Sequence, residues 1–231
     1  MTDTKPTILW YRRDLRLSDH SALTAACKRG GPVIAVFIHD DLSDGLGAAP
    51  KWRLGLGVGE LAKTLEEKGS RLILRRGAAL NVLRDLVTET GAGAVYWSRL
   101  YDPVSIARDT AVKETLKADG IEAKSFGGHL MFEPWTVETG SGGFYKVYTP
   151  FWNNVKSRDV DAPLPTPAKI PAPDAWPQSD RLDDWHMGAA MNRGADVVRR
   201  FVRLGETAAQ ARLGHFIAHI VQDYKALRDI P

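Results

Sequence analysis

Short runs of β-branched and apolar residues alternate along residues 7–126 with longer amphipathic stretches. The second run, 33–39, is apolar up to its final histidine, as in a strand that is buried on both faces. The stretch 52–68 repeats apolar residues at Leu54, Val58 and Leu61, with the helical spacing. Such alternation is typical of βαβ units, so we expect an α/β fold with a doubly wound, five-stranded parallel sheet. The predicted strands are 7–11, 33–39, 71–75, 94–97 and 121–126, and the predicted helices are 21–29, 52–68, 80–90 and 103–119.

The pattern changes at a proline-rich stretch, residues 161–177, whose six prolines interrupt any helix or strand. Beyond it, Thr207 and Gln210 have the spacing of a capping box. We therefore expect an α/β domain at 1–150, a linker at 151–180 and a C-terminal helical extension at 181–231, which is the truncated start of a second domain. The extension carries an apolar stripe formed by Ala209, Leu213, Phe216, Ile220, Tyr224 and Leu227.

Composition is that of an ordinary globular protein, with 44% hydrophobic and 26% charged residues in 231. The 31 basic and 28 acidic residues leave a formal charge of only +3, which does not by itself indicate a nucleic-acid partner. A lone cysteine, Cys27, excludes an intramolecular disulfide and a cysteine-based zinc site. We expect a cytoplasmic protein, with no secretory leader and no membrane-spanning segment.

Charged side chains cluster where the predicted strands end, which is where parallel sheets bind ligands. After the first strand, the basic residues near Arg12 either form ion pairs with Asp14 and Asp19 or bind an anionic ligand. After the second strand come Asp40 and then Lys51, beside an aromatic residue, an arrangement that suits either a flat anionic cofactor or a solvated loop.

The loop after the fourth strand contains Tyr101 and Asp102. Asp102 precedes Pro103, which favours a helix-capping role over a hydrogen bond to a ligand. The glycines at 55, 57 and 59 do not match the dinucleotide fingerprint, and they either weaken the helix or allow a close approach. His215 and His219 are one helical turn apart without a carboxylate ligand on the same face, so we expect no metal site. The sequence has no G-x-S-x-G elbow, and we assign no catalytic residue.

Three ordered segments resemble the DNA photolyase and cryptochrome family. They are WYRRDLRLSDHSAL (10–23), YKVYTPFW (145–152) and GETAAQARL (205–213), the last followed by a tyrosine and by RDIP at 228–231. The resemblance implies a Rossmann-like antenna domain, a linker and the beginning of a helical domain that holds FAD. In this family, light drives the repair of cyclobutane pyrimidine dimers in DNA.

The leading interpretation is the antenna portion of a class I cyclobutane-dimer photolyase. The resemblance implies that damaged DNA is bound by the helical domain, that this chain alone is inactive, and that the intact protein is a monomer. Without a partner, the apolar stripe from Ala209 to Leu227 is expected to fray, to pack back on the α/β domain or to pair between chains, so the truncated chain can self-associate. The alternatives are a cryptochrome-type photosensor that repairs nothing and a stand-alone nucleotide-binding module.

The family's ligand positions are carried over residue by residue. Tyr224 aligns with a tyrosine that contacts FAD. Val104 and Ser105 replace an Asn-Glu pair of the folate-binding members, which leaves methenyltetrahydrofolate, 8-hydroxy-5-deazaflavin, FMN or no antenna pigment open. The positions implied for the antenna pigment are Arg12, Phe37, Asp40, Lys51, Tyr101 and Asp102.

Overall fold

The computed structural model describes residues 5–229, and one parallel sheet lies at its centre. Its strands are β1 (Thr7–Tyr11), β2 (Val33–His39), β3 (Leu72–Arg76), β4 (Ala94–Ser98) and β5 (Glu122–Phe126). The strand order is β3-β2-β1-β4-β5, so the chain builds one half of the sheet outward from β1 and then the other half on the opposite side. The doubly wound α/β fold expected from the sequence is confirmed.

Nine α-helices accompany this sheet within residues 5–229. They are α1 (Ser21–Arg29), α2 (Asp41–Asp44), α3 (Ala48–Glu67), α4 (Ala79–Thr90), α5 (Pro103–Ala118), α6 (Tyr148–Val155), α7 (Arg193–Arg199), α8 (Gly205–His219) and α9 (Tyr224–Leu227). Helix α3 begins at Ala48 rather than at Trp52, because Pro50 is tolerated in a first helical turn. None of these helices is both long and apolar enough to cross a membrane.

Apolar side chains cover both faces of the sheet. On one face Leu9 belongs to a cluster with Leu61 of α3, and on the other Ile8 belongs to a cluster with Leu83 of α4 and Leu116 of α5. All seven residues of β2 are buried, as its apolar run predicts. The sheet is therefore rigidly supported on both sides, and its carboxyl end can present side chains in fixed positions.

The proline-rich segment 161–177 lies along the α/β domain. Ile170 is 1% exposed and belongs to the core cluster on the α3 face. The backbone N–H of Val33 donates to the carbonyl of Pro171 at 2.7 Å. The segment is thus attached both by apolar burial and by backbone hydrogen bonds.

The glycines of α3 allow the chain after the prolines to approach the helix closely. A Cβ on Gly55 would lie 3.0 Å from Cβ of Met187, and one on Gly59 would lie 3.3 Å from a methyl group of Leu182. Met187 is 6% exposed. Of the two interpretations that the sequence left open, close approach accounts for these two positions.

The C-terminal apolar stripe is not carried by one continuous helix. Helix α8 ends at His219, a 3₁₀ turn follows at Val221–Asp223, and only then does α9 begin. Leu213 and Ile217 are 58% and 59% exposed. The expected stripe is therefore interrupted: its members Leu213, Tyr224 and Leu227 are exposed, whereas Phe216 and Ile220 are partly buried.

The capping-box prediction at Thr207 and Gln210 is wrong. Helix α8 begins earlier, with Leu204 as N-cap and no side chain capping the helix. Glu206, the acidic residue of the first turn, instead accepts hydrogen bonds from residues 17–18 of the α/β domain. A tertiary contact has replaced the local one.

Candidate functional site

A cavity of about 420 Å³ lies where the carboxyl ends of β1, β2 and β4 meet. This is the point at which the strand order reverses, where open α/β sheets bind their ligands. The walls are formed by Arg12, Arg13, Leu15, Phe37, Ile38, Asp40, Leu42, Ser43, Leu46, Pro50, Arg53, Leu54, Gly57, Leu100, Ser105 and Arg108. The lining is mainly apolar, with guanidinium and carboxylate groups on part of the wall.

A chain of alternating charges crosses one side of this cavity. Arg12 Nη1 lies 2.5 Å from Asp109 Oδ2, and Arg108 Nη2 lies 2.9 Å from Asp109 Oδ1. Arg108 Nη1 continues the chain to Asp40 Oδ2 at 2.5 Å. Both guanidinium groups lie over the ring of Trp10, at 4.5 and 4.8 Å from its centroid. Burial lowers the pKa of Arg12, and the partner carboxylate of Asp109 opposes that shift.

Neither aspartate that the sequence offered as a partner pairs with the Arg12 side chain. Asp14 Oδ2 lies 2.9 Å from His20 Nε2, and Asp14 Oδ1 accepts the backbone N–H of Arg12. Asp19 accepts the backbone N–H of Leu164. The arginine is paired instead with Asp109 on α5, which is 97 residues away in the sequence, so no local pattern predicts the pair.

Phe37 and Asp40 are held by the end of β2 and the start of α2. Phe37 is 2% exposed, with its ring centroid 6.1 Å from that of Trp185. Asp40 is the N-cap of α2 and accepts from the backbone N–H of Ser43 at 3.0 Å. One oxygen of Asp40 therefore fixes the short helix, while the other completes the chain of charges.

The sequence profile of the DNA photolyase family matches residues 7–171, which is more than half of the chain. The chain belongs to the DNA photolyase family. The matched residues contain all five strands of the sheet and every residue that lines the cavity.

Relatives in the photolyase and cryptochrome family align with most of the chain. It is 42% identical over 229 residues to a deoxyribodipyrimidine photo-lyase of Agrobacterium fabrum, which is 99% of this chain and 48% of the relative. Cryptochrome-1 of Arabidopsis thaliana is 38% identical over 71% of this chain and 25% of its own length. The chain spans about half the length, or less, of these curated relatives.

Two solved photolyases share the fold. A bacterial class III photolyase from Agrobacterium tumefaciens superposes with a TM-score of 0.95 at 42% identity, over 100% of this chain and 48% of that protein. An archaeal photolyase from Sulfolobus tokodaii, described with two FAD molecules and with the implication of a novel light-harvesting cofactor, gives a TM-score of 0.65 at 27% identity. It covers 79% of this chain and 41% of that protein.

Of the six pigment positions expected from the photolyase resemblance, three line the cavity and three do not. Arg12, Phe37 and Asp40 lie in its wall. Lys51 is paired with Asp44 at 3.0 Å, on α3 outside the lining. Tyr101 and Asp102 follow β4 but belong to other surroundings, so the six positions do not form one cluster.

Asp102 acts as the N-cap of α5. Its carboxylate accepts the backbone N–H of Ser105 at 3.0 Å, and this hydrogen bond is the main reason that its pKa is lowered. Arg13 adds an exposed ion pair at 3.3 Å. Tyr101 donates its hydroxyl proton to Glu133 Oε2 at 2.8 Å and lines a neighbouring cavity.

Tyr224, the position expected to contact FAD, lies on the surface at the start of α9. It is 53% exposed and contacts Phe216 edge to face, with ring centroids 6.1 Å apart. Within residues 5–229, Tyr224 lines none of the four cavities described around the sheet and α3.

Three residues that the sequence analysis did not assign to the pigment help to build the cavity. Arg108 joins Asp40 to Asp109, Leu54 forms part of the apolar wall, and Gly57 leaves space beside Leu15. A signal for α5 was present, because its buried positions recur with the helical spacing and include Asp109. No short-range pattern predicts which carboxylate such an arginine will meet.

Proposed function

We propose that this chain holds a light-harvesting pigment in the 420 Å³ cavity and forms the N-terminal part of a deoxyribodipyrimidine photo-lyase. The observation that carries the proposal is the cavity itself, an apolar space at the reversal of strand order in a photolyase-family domain. When bound, the pigment absorbs near-ultraviolet or blue light and passes the excitation to FAD. The whole enzyme then repairs cyclobutane pyrimidine dimers in DNA.

The cavity suits a flat, partly anionic pigment. Leu42, Leu46 and Leu54 supply apolar surface for a conjugated ring system, while Arg13 and Arg53 supply cationic groups. Methenyltetrahydrofolate, 8-hydroxy-5-deazaflavin and FMN share this chemistry. We assign Arg12, Phe37 and Asp40 to the pigment, whereas Lys51, Tyr101 and Asp102 act at most from outside the cavity wall.

FAD belongs to the whole enzyme rather than to these residues alone. Tyr224 is our candidate for one FAD contact, since its ring is exposed and held by Phe216. The identity of 42% with a class III photolyase favours class III over the class I enzyme expected from the sequence. We further propose that damaged DNA is the partner, that the intact protein is a monomer, and that the lone Cys27 reflects a cytoplasmic setting.

The cryptochrome alternative is less well supported by coverage. The Agrobacterium photo-lyase aligns with 99% of the chain, while Arabidopsis cryptochrome-1 aligns with 71%. A stand-alone nucleotide-binding module would use the same cavity without any light-dependent property. Both alternatives predict the absence of repair, which separates them from the main proposal.

The experiment is a repair assay on a chimera. Residues 1–231 are joined to the remaining half of the Agrobacterium photo-lyase, and dimer reversal is measured on irradiated oligonucleotides in light and in darkness. The chimera is expected to repair dimers only in light, and the chain alone with added FAD is expected to repair none. A pigment bound to residues 1–231 should raise the rate of repair at the wavelengths it absorbs, and an unchanged rate would contradict the light-harvesting role of this chain.

A further inference from the structure

A second cavity lies beside the pigment cavity, on the other side of the Arg12 and Asp109 ion pair. Its volume is about 230 Å³, and Leu100 contributes to the walls of both cavities. Three aromatic side chains, those of Trp97, Tyr101 and Trp135, form part of its lining. Nothing in the proposed light-harvesting function requires this space.

One buried donor in the wall of this second cavity has no acceptor in the described part of the chain. Trp97 is 1% exposed, yet its indole N–H has no hydrogen-bond partner among the described residues. A buried donor without a partner is costly, so such a group in a native fold calls for an explanation. Thr110 and Ser125 add hydroxyl groups to the same wall.

Lys113 brings a cation that no carboxylate neutralises. Its Nζ donates to Ser125 Oγ at 3.3 Å, and it forms no ion pair within residues 5–229. Burial lowers the pKa of Lys113, and the nearby Lys117 and Arg99 lower it further. An anion beside this amino group would reverse the shift and stabilise the charged form.

The carboxylates that line or border the cavity already have partners. Glu133 accepts from Arg99 at 2.5 Å and from Tyr101 at 2.8 Å. Asp109 accepts from Arg12 through one oxygen and from Arg108 through the other. Within residues 5–229, the buried lining group without a partner is thus a donor, the Trp97 N–H, and the charge without a counter-ion is that of Lys113.

We propose that this cavity is a second binding site, which takes a small planar aromatic carboxylate. The volume is below the ~300 Å³ at which sites for drug-sized ligands begin, which restricts the ligand to about one ring. The ring lies against Trp135, which is 57% exposed and already carries the Arg99 guanidinium at 5.1 Å from its centroid. The carboxylate is bound by Lys113, and the Trp97 N–H supplies a further donor.

The test uses nicotinate as probe with the uniformly ¹⁵N-labelled 231-residue chain. The seven tryptophans give separate indole N–H resonances, and that of Trp97 is the one missing in a Trp97→Phe variant. Nicotinate is expected to shift this resonance in a saturable way. Nicotinamide, which is planar but neutral, and cyclohexanecarboxylate, which is anionic but not planar, are expected to leave it unmoved.

Two matched lysine variants of α5 locate the charge. Lys113→Gln is expected to weaken nicotinate binding about tenfold or more, because a hydrogen bond to a charged group is lost. Lys117→Gln changes an exposed lysine outside the lining and is expected to have little effect. The inference is overturned if nicotinate shifts no tryptophan resonance, if it shifts that of Trp10 rather than Trp97, if nicotinamide binds equally well, or if both lysine variants weaken binding alike.

Discussion

Glu206 accepts hydrogen bonds from both the backbone N–H and the hydroxyl of Ser18, the former at 3.1 Å. The same carboxylate accepts the backbone N–H of Leu17 at 2.9 Å. Helix α8 is thereby attached to the loop after β1, whose earlier residues Arg12 and Leu15 line the 420 Å³ cavity. This carboxylate joins the first long helix after the proline-rich segment to the wall of the proposed site.

Replacing Glu206 with alanine is expected to release α8 from that loop. The free energy that holds α8 against the loop should fall by about 1–2 kcal/mol, because hydrogen bonds to a half-buried charged acceptor disappear. Amide hydrogen exchange measures this loss of local stability: residues 205–219 should exchange faster, while the exchange rates in β2 stay unchanged. Gln210→Ala, which removes only exposed contacts at 3.2 and 3.4 Å, is the matched control. Equal exchange in the two variants would contradict this role of Glu206.

The attachment by Glu206 is also expected to depend on pH. Burial alone would raise the pKa of Glu206, but hydrogen bonds from Ser18 and Leu17 lower it below its ordinary value. A lowered pKa means that the stabilisation is present above the unfolded value of about 4.3 and is lost as the pH falls through the folded value. Exchange within α8 should therefore accelerate in acid, after correction for the intrinsic rate, and Glu206→Gln should remove this dependence.

Asp14 and His20 form a buried pair whose loss is expected to be severe. His20 Nδ1 accepts the backbone N–H of Leu23, and His20 Nε2 lies 2.9 Å from Asp14 Oδ2. Asp14→Ala leaves the backbone N–H of Arg12 without its acceptor and removes the carboxylate beside the buried His20 ring, at a cost of about 3 kcal/mol in the free energy of unfolding. Urea denaturation measures this cost, and the exposed Asp41→Ala serves as control. A loss no larger than that of the control would contradict the pairing.

Asp14 is expected to contribute to acid unfolding as well. Burial would raise the pKa of its carboxyl group, but hydrogen bonds from His20 and from the Arg12 backbone hold it well below its ordinary value. The stabilisation is present above about pH 3.9, the unfolded value, and is lost as the pH falls further. Urea midpoints between pH 5 and pH 2, chosen to bracket that value, should fall less steeply for Asp14→Asn than for the unchanged protein. Parallel curves would exclude this contribution.

Two helical glycines are expected to respond in opposite ways to alanine. Gly55→Ala places a methyl group 3.0 Å from Cβ of Met187. Because a Cβ atom shifts only together with its backbone, we expect overpacking, which costs about 1–3 kcal/mol. Gly214→Ala in α8 meets no atom within 4 Å and gains up to about 1 kcal/mol of helix propensity. Thermal unfolding measures both changes, and a stabilising Gly55→Ala would show that the segment around Met187 does not pack as described.

Local pattern was enough to predict the sheet and most of its helices. The apolar run of β2 and the period of α3 reflect burial that every neighbouring residue supports. Helix α2 was not predicted, because its four residues are too few to show a helical repeat of apolar positions and it depends on the N-cap supplied by Asp40. The family resemblance supplied Arg12 and Asp40, whereas the link between them through Arg108 depends on residues far apart in sequence.

The packing of the proline-rich segment and of the residues after it could not be read from composition. Prolines predict an extended chain, but they do not indicate where it binds. Trp185 packs 5.1 Å from the ring of His39, and Met187 fills the space left by Gly55. Each of these contacts joins residues that are far apart in the sequence, so neither residue alone predicts the contact.

Pigment binding by the purified 231-residue chain tests the central claim most directly. The chain is incubated in turn with methenyltetrahydrofolate, 8-hydroxy-5-deazaflavin and FMN, freed of unbound pigment by gel filtration, and examined by absorption. We predict that one pigment stays bound in about equal proportion to protein, with absorption above about 350 nm from its conjugated ring. Leu54→Trp, which fills the cavity, should abolish binding, and the exposed Leu213→Trp should not. Retention of no pigment, or equal retention by Leu54→Trp, would contradict the account.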